Sequence, residues 1–449
     1  MKAAPAGLDS YRQAWEYLDS LQFFKIKLGL DSMARFLGRL GNPQEQLRFV
    51  HVAGTNGKGS TAAVLQAILS RAGYRVGLYT SPHLSCVRER FRINEAYIDQ
   101  EAFTRHAAAI YGVLAGEQIT YFEFTTALAL LWFAEQRVEL AILEVGMGGR
   151  LDATNVITPR VEVITNVSLD HQAYLGDTLA AVAWEKAGII KPGVPLVSGV
   201  AADEAGQVVT ARCRELAAPL YQLGRDFSWQ ANQTAPPAGD HLSWDYRGMA
   251  AAFSALPSTL RGRHQLANQS LALAVLELLA PELPVPESAL RAGLAGIGWP
   301  GRLELLQTGE AGHERRILLD GAHNPAGVAE LVAALQRDFS YRRLVVIWGA
   351  MADKDLAAGL ELMAPLAPTF IFTRPEAERS ATVEELRALL PPESRPRALA
   401  AAGVVEALEL ACRQSGGEDL VVVAGSLYLV GAARCHLLGE LVPDQPDKL

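Results

Sequence analysis

Residues Arg48–Thr61 read RFVHVAGTNGKGST, and their reading decides the fold. Phe49 to Ala53 is a short apolar run with the length and β-branching of a buried strand. It passes directly into Gly54-Thr55-Asn56-Gly57-Lys58-Gly59-Ser60-Thr61. Ala62 to Ala72, rich in Ala and Leu, then reads as a helix. Strand, glycine loop and helix in this order form the setting of a phosphate-binding loop. The glycines let successive backbone N–H groups face one centre, and the helix N-terminus adds partial positive charge. Lys58 can reach β- and γ-phosphate oxygens, and Ser60 or Thr61 can place a hydroxyl on a magnesium ion. The spacing departs from G-x-x-x-x-G-K-[ST], because Gly59 separates the lysine from the hydroxyls. A glycine turn that only let strand and helix pack would not call for Lys58 and two hydroxyls in the same few residues.

Around this loop the chain reads as alternating strands and helices. Ser10–Leu21 and Leu28–Leu40 are expected helices, the second ended by Gly41-Asn42-Pro43. Arg75–Thr80 is a strand leading into Ser81-Pro82-His83-Leu84 and then Val87–Asn94. A loop leaving a strand end beside a phosphate loop is where an α/β protein takes a second substrate. Ala107–Leu114 and Phe122–Gln136 read as helices. Leu140–Val145 is a buried strand with Glu144 at its tip. A carboxylate there costs several kcal/mol unless it is paired or metal-bound, so a magnesium role suits Glu144. Val161–Asn166 is a further strand, with His171 just beyond it. A lone histidine in such a place is more often an ordinary loop residue, and only its company raises it. Asp177 or Thr178 can cap a helix over Leu179–Ala187, which carries Lys186. Val194–Val197 is another strand. Leu220–Leu256 reads as a small antiparallel excursion. Gly262-Arg263-His264-Gln265-Leu266-Ala267-Asn268 opens a helix to Leu279, with Asn268 near its start.

A hinge is expected near Gly298–Gly301, giving domains 1–298 and 299–449. Beyond it strands are expected at Arg302–Gln307, Arg316–Leu319, Leu344–Trp348, Thr369–Thr373 and Leu420–Ala424. Helices are expected at Ala326–Arg337, Leu356–Met363, Val383–Leu390, Val404–Ala411 and Leu427–Leu438. Polar clusters follow several of these strands: Asp320 with His323 and Asn324, Asp353-Lys354-Asp355, Arg374 to Ser380, and Gly425-Ser426. In one sheet they would face one crevice. The fold class expected is therefore α/β in two domains. The first is P-loop ATPase-like, a mostly parallel sheet with helices on both faces. The second is a smaller, Rossmann-like unit.

The whole chain sets bounds. At 449 residues it exceeds one core. A net charge of −8, with no basic run, argues against a nucleic-acid partner. Four cysteines without C-x-x-C spacing argue against zinc or a disulfide framework. No apolar run of membrane-spanning length and no signal-peptide core are visible. A cytoplasmic protein without membrane association is expected.

Taken together, HVAGTNGKGST, TSPHL with ERFRIN, LEVGMGGRLDATN, SLDHQAYLGDT, EKAGIIKPG, GRHQLAN, PGRLE, LDGAHNP, ADKD, TRPEAERS and GSLYLVG resemble the folylpolyglutamate synthase and dihydrofolate synthase family of the Mur ligase superfamily. They run in family order from Phe49 to Gly431. The resemblance implies an ATP-dependent amide ligase. A carboxylate on dihydropteroate or folate is phosphorylated, and the α-amine of L-glutamate displaces the phosphate. In bacteria one enzyme of this kind often performs both the dihydrofolate and the polyglutamate step. Closure of one domain over the other would shield the acyl phosphate from water.

Carried over by position, Lys58 resembles the phosphate-gripping lysine within the nucleotide loop Gly54, Thr55, Asn56, Gly57, Gly59, Ser60 and Thr61. Ser60, Glu144 and His171 resemble ligands of Mg²⁺, although histidine is an unusual partner for that ion. Lys186 matches the lysine that the family carries as a carbamate, an anion that would make a second magnesium site intelligible. On sequence alone it is an exposed helix lysine. Asn268 and Arg302 resemble nucleotide contacts, and Asp320 and His323 the second domain's contribution to ATP and its γ-phosphate. Ser81, Pro82 and His83 resemble the pterin-side loop, and Ser426 the glutamate pocket. Glu95 stands where relatives often carry glycine, and Trp348-Gly349-Ala350-Met351 also departs from them. A monomer is expected, since two domains can form the whole site.

Two alternatives compete. A Mur enzyme acting on a UDP-muramoyl peptide would share the loop and metal residues. It normally carries an extra N-terminal domain, for which the segment before Gly54 is too short. A P-loop ATPase switch without ligase chemistry would leave the Asp320, His323 and Arg374 clusters unexplained.

Overall fold

Strand β1, Phe49–Ala53, is buried at every position and lies inside an eight-stranded sheet. The computed structural model describes residues 7–21, 29–232, 242–309, 314–375 and 379–439. The expected start of the second helix at Leu28 and residues 376–378 of the Arg374–Ser380 cluster lie outside them. The chain divides into two compact units. One takes in the chain up to Asn232, Ser243–Pro257 and Ala267–Ile297. The other takes in Ser258–Leu266 and the chain from Gly298 onward.

The first unit's sheet also contains β2 (Val76–Tyr79), β3 (Phe91–Ile93), β4 (Ala96–Tyr97), β5 (Leu140–Glu144), β6 (Val161–Ile164), β7 (Leu196–Ser198) and β8 (Leu220–Gln222). Their order is β4-β3-β2-β5-β1-β6-β7-β8. All neighbours from β2 to β8 run parallel, while β3 and β4 turn back antiparallel. Chain order reverses on either side of β1, which lies between β5 and β6. That switch point opens a crevice at the strands' carboxyl ends, where β1 feeds the glycine loop.

The helix after β1 runs Lys58–Arg71, so it starts at the loop lysine itself rather than at Ala62. The helix expected from Ala107 starts at Gln100, capped by Asp99, whose carboxylate accepts the Ala102 N–H. Val87–Asn94 forms a 3₁₀ turn, Val87–Arg90, and then β3. Thr178 is the residue that caps Leu179–Ala187, through the Ala181 N–H.

Besides the single turn Gln172–Leu175, two longer helices lie where no helical pattern was legible. Glu204–Glu215 buries Ala205, Val209 and Cys213 on one stripe and is capped by Asp203. Glu287–Gly296 packs on the phosphate-loop helix, and its glycine is the reason it can. A Cβ on Gly293 would come within 2.6 Å of the Ile68 Cα. Leu220–Gln222 extends the large sheet as β8. The antiparallel excursion is therefore only β9 (Ser228–Ala231), β10 (Leu242–Arg247) and β11 (Ala252–Ser258).

The second unit holds β12 (Glu304–Thr308), β13 (Arg315–Leu319), β14 (Leu344–Trp348), β15 (Thr369–Phe372), β16 (Leu399–Ala400) and β17 (Leu420–Ala424). The order is β12-β13-β17-β14-β15-β16, parallel except for the edge strand β12. Strands β14 and β17 are buried throughout, as their unbroken apolar runs require.

Candidate active site

The glycine loop is held from below by the turn that leaves β6. Thr165 donates its hydroxyl to Asn56 O at 2.6 Å, and Asn166 donates its amide to the same oxygen at 3.0 Å. Asn166 Oδ1 accepts the Asn56 N–H at 2.9 Å. Thr55 Oγ1 donates to Ser168 O and accepts the Ser168 N–H. The loop is therefore shaped before any ligand arrives, which lowers the ordering cost of binding. Thr61 N bonds Gly57 O at 2.9 Å as the first regular turn closes. The N–H groups ahead of it are those that a helix start offers to an anion.

Gly57 caps this helix at φ 81°, and a Cβ there would come 2.3 Å from Asn268 Oδ1. This brings sequence-distant Asn268 against the loop. Gly57→Ala is expected to raise the KM for ATP about tenfold and to destabilise the unit by roughly 1–3 kcal/mol. Steady-state kinetics and thermal unfolding would check both, and an unchanged KM would remove the need for glycine here.

Two lysines converge on one carbonyl. Lys58 Nζ bonds Gly54 O at 3.1 Å and Thr55 O at 3.0 Å, and Lys186 Nζ bonds Gly54 O at 3.0 Å. Lys186 is not the exposed helix lysine that the sequence suggests, for it is only 3% exposed. Burial first, and the Lys58 charge second, push its pKa down to about 7, while Asp170 pulls the other way.

Glu144, buried at the tip of β5, accepts the Ser81 N–H at 3.0 Å. It thereby ties the Ser81-Pro82-His83 loop to the strand. Glu89 gathers the backbone N–H groups of Leu84, Ser85 and Cys86. Arg90 donates from Nε to His83 Nδ1 at 2.9 Å and lies over the Tyr121 ring. Burial, then the Arg90 charge, push the His83 pKa well down. The imidazole is thus neutral and carries its proton on Nε2. The turn after Glu144 is fastened by Asp152, whose Oδ2 accepts the N–H groups of Gly146 and Met147, each at 3.0 Å.

Ser60 and Thr61 are both buried. His171 sits at φ 51° with a half-exposed side chain, 4.0 Å from the Asp170 carboxylate. Among the described residues no group of three or more His, Cys, Asp and Glu side chains gathers around a point fit for a metal. Serine and glutamate still offer the oxygen donors that magnesium prefers. That ion keeps several waters or phosphate oxygens of its own, so two protein oxygens suit it.

In the second unit Asp320 follows β13 directly in a buried position. Its Oδ2 accepts the Leu303 N–H and its Oδ1 the Ala322 N–H, both at 2.9 Å. Burial raises its pKa, and Arg302, which lies against Gly321, counters the rise. His323 Nδ1 lies 2.8 Å from Gly321 O, so that nitrogen carries the hydrogen. Asn324 caps the helix Pro325–Arg337. Ser426, 2% exposed, caps Leu427–Leu438 through the Tyr428 N–H, so its hydroxyl already serves the fold. Asp355 likewise serves as a helix cap.

Thr165, Asn166, Asp152 and Asp170 carry much of this geometry, yet the sequence reading did not single them out. Asn166, Asp152 and Asp170 sit directly after or near strand ends. A polar residue following a buried strand was the signal available.

Residues 52–276 match the Mur ligase middle domain, and residues 301–427 match the Mur ligase glutamate ligase domain. The fold is that of the Mur ligases. The Bacillus subtilis dihydrofolate synthase/folylpolyglutamate synthase is 34% identical over 95% of this chain and 99% of its own length. The folylpolyglutamate synthase of Lacticaseibacillus casei is 37% identical over 90% and 93%. Folylpolyglutamate synthase from Thermotoga maritima superposes with a TM-score of 0.84 at 35% identity, covering 98% of this chain and 100% of that one. Escherichia coli FolC in complex with DHPP and ADP gives 0.86 at 30% identity, covering 97% and 99%. The chain belongs to the folylpolyglutamate synthase and dihydrofolate synthase family, and is an ATP-dependent ligase that joins glutamate to a carboxylate.

Proposed function

We propose that the chain is bifunctional, adding L-glutamate both to dihydropteroate and to the γ-carboxylate of tetrahydrofolate. The observation that carries the reading is the pair Lys58 and Lys186 on Gly54 O, at the head of a pre-shaped phosphate loop. The near end-to-end match to a relative whose name holds both activities supports it.

A carboxylate is a poor electrophile because its oxygen leaves badly. Transfer of the γ-phosphoryl group of ATP to that oxygen makes a good leaving group. The glutamate amine then forms the C–N bond as the C–O bond to phosphate breaks, and the amine loses a proton. Lys58 and the loop N–H groups hold the phosphates and balance their charge. Asn268 and Arg302 contact the nucleotide, and Asp320 orders the Arg302 segment through the Leu303 N–H. Ser81, Pro82 and His83 take the pterin side, with His83 Nε2–H as a donor. Ser426, through the backbone it caps, shapes the glutamate pocket. Ser60, Glu144 and His171 would hold magnesium, which would supply charge stabilisation to the transferring phosphoryl group. Lys186 becomes a carbamate when its neutral amine adds to carbon dioxide and releases a proton. An amine with a pKa near 7 is suited to that addition. The protein acts as a monomer in the cytoplasm.

Phosphate release from ATP and Mg²⁺ with L-glutamate tests the reading, with dihydropteroate and tetrahydrofolate compared as acceptors and products weighed by mass. One added glutamate on each acceptor is expected. Gain on tetrahydrofolate alone would make the chain a polyglutamylating enzyme only.

His323→Ala is expected to lower kcat by about 10²-fold, as loss of one donor to a charged transition state does. The KM for the folate should stay within about threefold. Loss confined to KM would move His323 to substrate binding.

A further inference from the structure

Beneath the phosphate loop lies a polar cluster that the chemistry above does not use. His51 on β1 and Glu162 on β6 are both 0% exposed and are register partners on adjacent parallel strands. Paired positions in such strands send their side chains to the same face, one strand spacing apart, about 4.8 Å. His51 Nε2 lies 2.8 Å from Thr154 Oγ1. The Thr154 hydroxyl donates to Asp152 Oδ1. Asp152 also accepts three backbone N–H groups, from Gly146, Met147 and Thr154, as a carboxylate would. With its one proton given to Asp152, Thr154 must accept from His51. His51 therefore carries hydrogen on Nε2 and presents a bare acceptor at Nδ1. That Nδ1 is buried without a partner.

Glu162 is the complementary case. Its Oε1 accepts the Lys191 N–H at 2.9 Å, and its Oε2 is buried without a partner. The Lys191 ammonium does not neutralise it, because Nζ bonds Asn155 O at 3.0 Å and Asn155 Oδ1 at 2.7 Å. A carboxylate with no ion partner in such a place takes up a proton instead. An orphaned acceptor and an acid that needs a place for its proton thus stand side by side. From His51 the hydrogen bonds run through Thr154 and Asp152 to the turn after Glu144.

We propose that Glu162 is a protonated positioning residue. Its acid hydrogen serves His51 Nδ1, directly or through one enclosed water, and so fixes the tautomer that holds Thr154, Asp152 and the Gly146–Met147 turn. No net proton transfer is involved; each group keeps its hydrogen. Burial supports both neutral forms, pushing the Glu162 pKa up to about 9 against the pull of the Lys191 N–H and charge, and that of His51 down to about 3, where the Lys191 charge adds to burial. The titratable groups around the pair are Lys191, whose Nζ is held by Asn155, Asp152, held by the 146–154 backbone, and the buried Cys213, whose thiol burial and Glu162 both push up.

Infrared spectroscopy of the intact protein at pH 7.5 tests the protonation, without reference to any substrate. A C=O stretch of a buried, protonated carboxyl is expected, and it should vanish in Glu162→Gln. Absence of that band in the wild type would overturn the proposal. Turnover tests the positioning. Glu162→Gln, which keeps a donor, should hold kcat within about threefold of wild type. Glu162→Leu should lose about tenfold in kcat with the KM for ATP within twofold. Equal losses in both variants, or none in Glu162→Leu, would overturn it. Should Glu162→Leu fail to fold, the infrared band and the glutamine variant still decide.

Discussion

Lys58→Ala is expected to lower turnover by on the order of 10³-fold, as removal of a principal cation from a phosphoryl-transfer site does. The fold should survive. Lys58 is the first residue of its helix, a position where alanine is at least as good a helix former. Two of its hydrogen bonds go to loop carbonyls, Gly54 O and Thr55 O, and Gly54 O keeps Lys186 as a donor. Unfolding free energy should therefore change by less than about 1 kcal/mol. A secondary effect follows from the shared carbonyl. With the neighbouring ammonium gone, Lys186 loses the second contribution to its low pKa and should titrate higher. Near-normal turnover in the mutant would remove the central assignment of the loop. Normal thermal unfolding with lost turnover would separate chemistry from structure.

The sequence was most legible where one physical demand dominated. Leu344–Trp348 and Leu420–Ala424 are unbroken apolar runs in fully covered positions, and each strand has the bounds that its run predicts. Leu356–Met363 and Leu427–Leu438 are likewise as expected, because a cap precedes each apolar pattern. Legibility failed where two demands met in one residue. Gly293 reads as a break, yet it is the contact that lets its helix lie on Ile68. Gly206 weakens the pattern of Glu204–Glu215, and the Asp203 cap with the Ala205–Val209–Cys213 stripe outweighs it.

The site shows the same division. Gly54–Thr61 and Glu144 announce themselves locally, because a glycine loop after a strand and a carboxylate at a strand tip have few other reasons to exist. Thr165, Asn166 and Asp152 act through partners far away in sequence, and no local spacing encodes those pairings. His51 is the clearest example. Within HVAGTNGKGST it passes for an ordinary strand residue, and only its contact with Thr154, 103 positions on, makes it part of a hydrogen-bonded chain to Asp152.

Lys186→Met is expected to abolish measurable turnover while making the protein more stable. The wild-type side chain is almost fully enclosed, and its pKa of about 7 lies below the ordinary 10.5. The sign follows directly. Between these values the unfolded chain binds more protons than the folded one, so stability rises with pH across that window and the full cost is felt below about 7. At pH 7.5 the cost is roughly 4 kcal/mol at most. Methionine fills a similar volume without a charge, and Gly54 O retains its bond from Lys58. Gains of roughly 2–4 kcal/mol are therefore expected in CO₂-free buffer without Mg²⁺, with a flatter dependence on pH from 7 to 9 than in the wild type. No gain in stability would mean that the buried ammonium is better solvated than its single carbonyl contact suggests. Retained turnover would exclude both the carbamate and any other catalytic use of this lysine. If both expectations hold, the fold keeps at Lys186 a group that costs it stability, and the reason for keeping it is the chemistry at the phosphate loop.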